Sequence, residues 1–224
     1  MDTKIENRKE KKKEDSVSPA VVAEFKAFAN EFRSESDRAA VILGAAKLDL
    51  LLFQILQRAF KPVPSRDELL EGDCPIGTFS ARIAVTHRLG LIDSDFARAL
   101  NLVRKIRNSF AHELSGVSLN AGAHRDRIRE LTSSFEGHGC FKWLLSSFFP
   151  DESSASEFRA AVALMCLRLE GLFGDRNVPL FRKTSMTLLP PSWNFDESGK
   201  ELPPKEKNAR KTGVLARVKE PKES

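Results

Sequence analysis

The chain has 224 residues, 41% of them hydrophobic and 16 of them Phe, enough for one core of ordinary domain size with tails to spare. Its 36 Lys and Arg against 31 Asp and Glu leave +5, a mild basic excess that permits a nucleic-acid or acidic partner without requiring one. Cys74, Cys140 and Cys166 are far apart with no Cys-x-x-Cys spacing, which excludes a disulfide framework and a four-ligand zinc site. Reduced thiols, a cytoplasmic setting, and no metal or cofactor are expected. The charged N-terminus has no apolar signal core, and no apolar run is read as approaching the roughly 20 residues that span a bilayer, so no membrane partner is expected.

In chain order, residues 1–17 form a charged tail with too few apolar groups to offset its ordering entropy. Ser18 then offers an N-cap and Pro19 a first helical position, with Val21, Val22, Phe25, Phe28, Ala29 and Phe32 following at helical spacing. Ser36 or Asp37 caps a second helix running to about Phe60. The series Ala39, Ile42, Leu43, Ala46, Leu50, Phe53, Leu56 and Phe60 marks its expected core face. Lys47 and Asp49 fall inside this apolar stretch; exposure on the far face is favoured over a salt link. Pro62 and Pro64 end the helix, and a loop reaches Pro75 with a short helical segment at 67–70. A third helix runs through Ala81, Ile83, Ala84 and Val85 to Leu89, where Gly90 supplies a left-handed stop. Asp93 or Ser94 caps the fourth, whose buried stripe is Phe96, Leu100, Val103, Ile106 and Phe110, with Arg98, Arg104, Lys105 and Arg107 projecting elsewhere.

That fourth helix ends in Arg107-Asn108-Ser109-Phe110-Ala111-His112. Cleaving RNA without a metal needs a base for the ribose 2′-hydroxyl, an acid for the leaving oxygen, and positive charge at the phosphoryl oxygens. His112 is of the residue type that transfers protons in general acid–base catalysis, Arg107 can hold phosphoryl oxygens bidentately, and Asn108 can orient substrate or His112. On an ideal helix Asn108 and His112 share a face, whereas Arg107 lies about 140° from His112. One helix is therefore a poor site; two copies about a two-fold axis, or unwinding near His112, would be needed to complete it. The structural alternative pairs Arg107 with a carboxylate such as Asp49 and has His112 bind the last helical carbonyls or complement the helix macrodipole.

The Arg-x4-His pattern resembles the signature of the HEPN superfamily, small helical domains that include metal-independent ribonucleases and non-catalytic regulators. A wider stretch, residues 39–113, is similar to the mannitol repressor family. The features that carry this resemblance are the long apolar helix, the loop Leu-Leu-Glu-Gly-Asp-Cys-Pro-Ile-Gly (69–77), Phe79-Ser80-Ala81-Arg82-Ile83, the His-Arg-Leu-Gly-Leu-Ile-Asp turn (87–93), and a helix ending in Arg107 and His112. The resemblance implies an all-α HEPN-like bundle and a homodimer. It also implies a non-enzymatic transcriptional regulator acting through a protein or nucleic-acid partner. Asn108 departs from that family towards the nuclease-like pattern, which keeps a metal-independent ribonuclease using Arg107, Asn108 and His112 as the alternative. Arg104 and Lys105 are the candidate nucleic-acid contacts.

Beyond Glu113, residues 116–122 read as a loop and His124–Phe135 as a polar helix with a solvated charged face. Gly137-His138-Gly139-Cys140 is a turn with only half a zinc site. Phe141–Phe149 is an aromatic patch destined for core or dimer surface, and a last apolar helix follows residues 151–154. A Pro- and Lys-rich tail covers 189–224, leaving one domain over 18–188. A helix-turn-helix around Gly90 is disfavoured, because its second helix is as apolar as a core helix.

Overall fold

Local signals place the helices. In the computed structural model, which describes residues 19–64, 67–70, 72–113, 115–171 and 188, these are α1 (Pro19–Ser34), α2 (Asp37–Ala59), α3 (Phe79–Arg88), α4 (Ser94–His112), α5 (Gly122–Ser133), α6 (Gly139–Phe148) and α7 (Ser154–Gly171). Among the described residues there is no strand, and the protein is an all-α bundle. The two tails and the Ser18 cap lie outside the described residues. Ser36, Thr78 and Asp93 cap α2, α3 and α4 by accepting the amides of Ala39, Ala81 and Phe96. Gly90, at φ +70°, turns the chain out of α3 with the left-handed geometry that glycine adopts without a steric penalty.

α2 and α7 are the central pair. α2 packs on α7, α4 and α3, while α7 also receives α5, α6 and α1. Gly44 makes the α2–α7 approach close, since a Cβ there would meet Val162 Cγ1 at 2.9 Å and Phe32 Cζ at 3.1 Å. α7 is buried almost all round, from Ala155 to Leu169. Phe25 and Phe32 of α1 meet Phe148 and Phe149 edge-on. The aromatic segment after Gly139 is therefore helix α6, and its Cys140, Phe141, Leu144 and Phe148 join the core.

Arg159 fastens the ends of these helices. Its buried guanidinium donates to the carbonyls of Phe32, Glu35 and Ala155 and lies 3.3 Å from Asp37 Oδ1. Asp37 Oδ2 also accepts the Leu119 amide at 3.0 Å, and Asn120 Oδ1 accepts the Ala155 amide at the start of α7. One charge pair thus joins the α1–α2 turn, the α4–α5 loop and α7.

Two sequence expectations about α2 are corrected. Its core face is Ala40, Val41, Gly44, Ala45, Leu48, Leu51, Leu52, Ile55 and Leu56, so that of the expected stripe only Leu56 is buried. The helix is apolar on both sides, and its close approach to α7 through Gly44 selects the other one. It is also, at 23 residues, long and apolar enough to cross a membrane by length and composition; half of that window is buried against neighbouring helices, as in a core helix. Lys47 and Asp49 are partly buried and paired, with Glu170 and Arg82 respectively, each at 2.8 Å.

Candidate functional site

α4 carries every candidate residue, and its geometry follows from its sequence. Phe96, Leu100, Val103, Ile106 and Phe110 are all buried. They fix the helix on α2, α3 and α5 and turn the opposite side outward. His124 of α5 is buried against Phe110, with ring centroids 4.8 Å apart, which holds the last turn in place.

The outward side is built from residues three and four apart: Asn101, Arg104, Lys105, Asn108 and His112. Lys105 and His112 are exposed, and Arg104 and Asn108 half-buried. Asn101 donates to the Ala97 carbonyl at 2.9 Å and accepts from Arg104 Nε at 3.3 Å, a local clamp that orients the arginine. No carboxylate occurs between Asp95 and Glu113, so this surface is cationic and amide-bearing over most of the helix. Arg98, nearer the N-terminus, is the exception in being occupied: two of its nitrogens reach Glu130 Oε1, at 2.7 and 3.1 Å.

Arg107 does not join that face. It is half-buried on another side of the helix, as the 140° separation requires, so the structure brings Asn108 and His112 together and leaves Arg107 apart. The two hydrogen-bonded roles fall to other residues, while His112 stands in the last turn of α4, where a basic side chain complements the helix dipole. Asp49 is held by Arg82, so it is no partner for Arg107. The carbonyls at the end of α4 are bound by Arg38 of α2, whose guanidinium donates to Phe110 O and, at 2.6 Å, to Glu113 O. His112 and Arg107 have no hydrogen-bond or ion-pair partner among the described residues. A catalytic imidazole ordinarily has one ring nitrogen fixed by a second group, which selects its tautomer; His112 has none.

The segments 69–77, 79–83 and 87–93 hold the helices together. In the loop ending at Gly77, the Gly77 amide donates to Cys74 O at 2.8 Å, and a Cβ on Gly77 would lie 2.0 Å from Gly72 O, so only glycine closes this turn. Arg82 then ties the loop to two helices through Leu70 O, Asp49 and the face of Phe53, 5.1 Å from its ring centre. His87 reaches Ser94 Oγ at 3.2 Å across the turn between α3 and α4.

The other polar features among the described residues lie apart from the α4 candidates. A cavity of about 270 Å3 is lined by Arg33, Asp37, Asn120, Asp151 and Arg159 among others, with none of the α4 candidates. Among the described residues no three His, Cys, Asp or Glu side chains converge as metal ligands. Burial pushes the Cys140 thiol up to about 12 and that of Cys166 higher still, which makes both poor nucleophiles. No family model, curated protein or solved structure matches the chain.

Sequence reasoning misses Arg38 and Arg159, whose bonds to other helices reach partners 72 to 127 residues away and leave no local signal. The outward stripe of α4 is legible, because the buried stripe is regular and the remainder follows from it.

Proposed function

We propose that the protein is a non-enzymatic regulator of the mannitol-repressor type that binds duplex DNA through the outward face of α4. The observation that carries this reading is that face itself: Arg104, Lys105, Asn108 and His112 at helical spacing, with no carboxylate from residue 96 to 112. Cations and amide donors so arranged suit a line of phosphates, which position a protein on a duplex before any base is read. The guanidinium clamped by Asn101 is pre-set for such a contact. The exposure of His112 without an orienting partner weighs against acid–base catalysis, as does the displacement of Arg107 from its side of the helix. Asn108 beside His112 is the one feature that favours the ribonuclease alternative.

A salt titration of binding to a fluorescent duplex tests the reading. Arg104→Ala with Lys105→Ala should reduce the slope of log K against log salt by roughly 2, about 0.9 for each phosphate that is no longer neutralised. An unchanged slope would remove α4 from the interface. In parallel, incubation with RNA in EDTA should leave the RNA intact; cleavage to 2′,3′-cyclic phosphates that disappears in His112→Ala would make the protein an enzyme instead.

A further inference from the structure

Every well-exposed large hydrophobic side chain among the described residues lies between positions 42 and 69: Ile42 (39% exposed), Leu43 (43%), Leu50 (49%), Val63 (53%) and Leu69 (50%). Three of these are on α2, on the side opposite its buried face, together with exposed Ala46 and half-buried Ala39 and Phe53. A surface of this kind, confined to one helix and the loop after it, marks a contact rather than scatter. Ala39, Leu43, Ala46, Leu50 and Phe53 step by four, three, four and three residues, the a/d rhythm of a helix that pairs with another helix.

We infer that this stripe is the seam of a homodimer in which α2 packs antiparallel against α2 of a second copy, with the two-fold axis at Ala46. The stripe is self-complementary about that point. Phe53 fills the space over the partner's Ala39, Ala46 meets the partner's Ala46 where the helices come closest, and Leu43, opposite the partner's Asp49, packs beside the partner's Leu50. The charges favour the same direction: antiparallel pairing lays the end of α2 that carries Glu35, Asp37 and Arg38 over the partner's Arg58, whereas parallel pairing sets Arg58 against Arg58. Closing the seam buries no uncompensated charge, because Lys47 is already held by Glu170 and Asp49 by Arg82.

This surface is distinct from the α4 face and stands whatever α4 binds. It has a consequence for α4 all the same. Arg38, eight residues from Ala46, holds the end of α4, so the two His112 side chains fall near opposite ends of the seam, roughly 24 Å apart along it. The dimer therefore duplicates the motif instead of assembling one site from two halves.

Light scattering after gel filtration tests the seam. The wild-type chain should give about twice its 25.0 kDa mass, and Leu43→Glu with Leu50→Glu should give the single-chain mass with unchanged circular dichroism. Direction is read in a Cys74→Ser background, where Cys140 and Cys166 stay buried. Under mild oxidation Ala46→Cys should link to itself, while Ala39→Cys should link only when Phe53→Cys is also present. A wild-type single-chain mass at 100 µM would overturn the proposal, and flotation of that monomer with phosphatidylcholine vesicles would assign the stripe to a lipid surface. A double-glutamate variant that keeps the dimer mass would overturn it too, as would Ala39→Cys linking to itself in place of Ala46→Cys.

Discussion

α2 and α4 are both long helices in contact with each other, and they differ in how their sequences encode a buried face. α4 has one apolar stripe and a polar, cationic remainder, so its orientation is decided within the helix. α2 is apolar nearly all round; the series through Leu43, Ala46 and Leu50 is as regular as the one through Ala45, Leu48 and Leu52. Periodicity identifies a core face only by contrast with a polar one. Where the contrast is absent, burial is decided by neighbours, here α7 pressing in at Gly44 and Arg82 reaching Asp49.

The sharpest way to break this comparison is to truncate each face in turn. Phe110→Ala should cost about 4 kcal/mol, because it empties a fully buried site under α5 and His124. Leu52→Ala, on the buried face of α2, should cost about 3 kcal/mol. Leu50→Ala, two residues away and half exposed, should change the stability of dilute, single-chain protein by less than about 0.5 kcal/mol. Urea denaturation midpoints at low concentration measure all three. Equal losses at Leu50 and Leu52 would show that α2 has no open face.

A second test concerns what α2 uses in place of amphipathicity to hold its position. Arg159→Met should destabilise by about 2 kcal/mol, because it takes the guanidinium from a partly exposed Asp37 and withdraws donors from the Phe32 and Glu35 carbonyls. The double change with Asp37→Asn should recover part of that loss, since the stranded charge is removed with its partner. If the double variant is as unstable as the sum of the singles, then the pair is not coupled and the latch at the start of α2 is misassigned.

Much of the fold is therefore legible in the sequence, through caps such as Ser36 and Asp93, the stop at Gly90, and the stripe of α4. The side of α2 that is buried is not, because both sides are apolar at helical spacing and what decides between them is the approach of α7 at Gly44. Lys47 and Asp49 look solvated in the sequence for the same reason: Glu170 and Arg82 are partners from distant helices, and spacing carries no trace of them. The α4 candidates are half legible. The separation of Arg107 from His112 follows from helix geometry alone, whereas the group that closes the helix end comes from another element and only packing supplies it.

Arg38 provides the smallest and most specific test, because it joins the two helices being compared. The sequence alone suggests His112 as the group serving the final carbonyls of α4, and the structure gives that task to Arg38. Arg38→Ala should cost roughly 1 kcal/mol, less than a buried charged hydrogen bond, because the guanidinium is exposed and water can solvate the freed carbonyls. His112→Ala should leave thermal stability unchanged, since the imidazole holds no partner among the described residues. Hydrogen exchange adds the local reading: the amides of the last turn of α4, Phe110 to Glu113, should exchange faster in Arg38→Ala while those near Phe96 stay protected. The reverse pattern, with His112→Ala loosening the turn and Arg38→Ala leaving it intact, would return the cap to the histidine and take that role from Arg38.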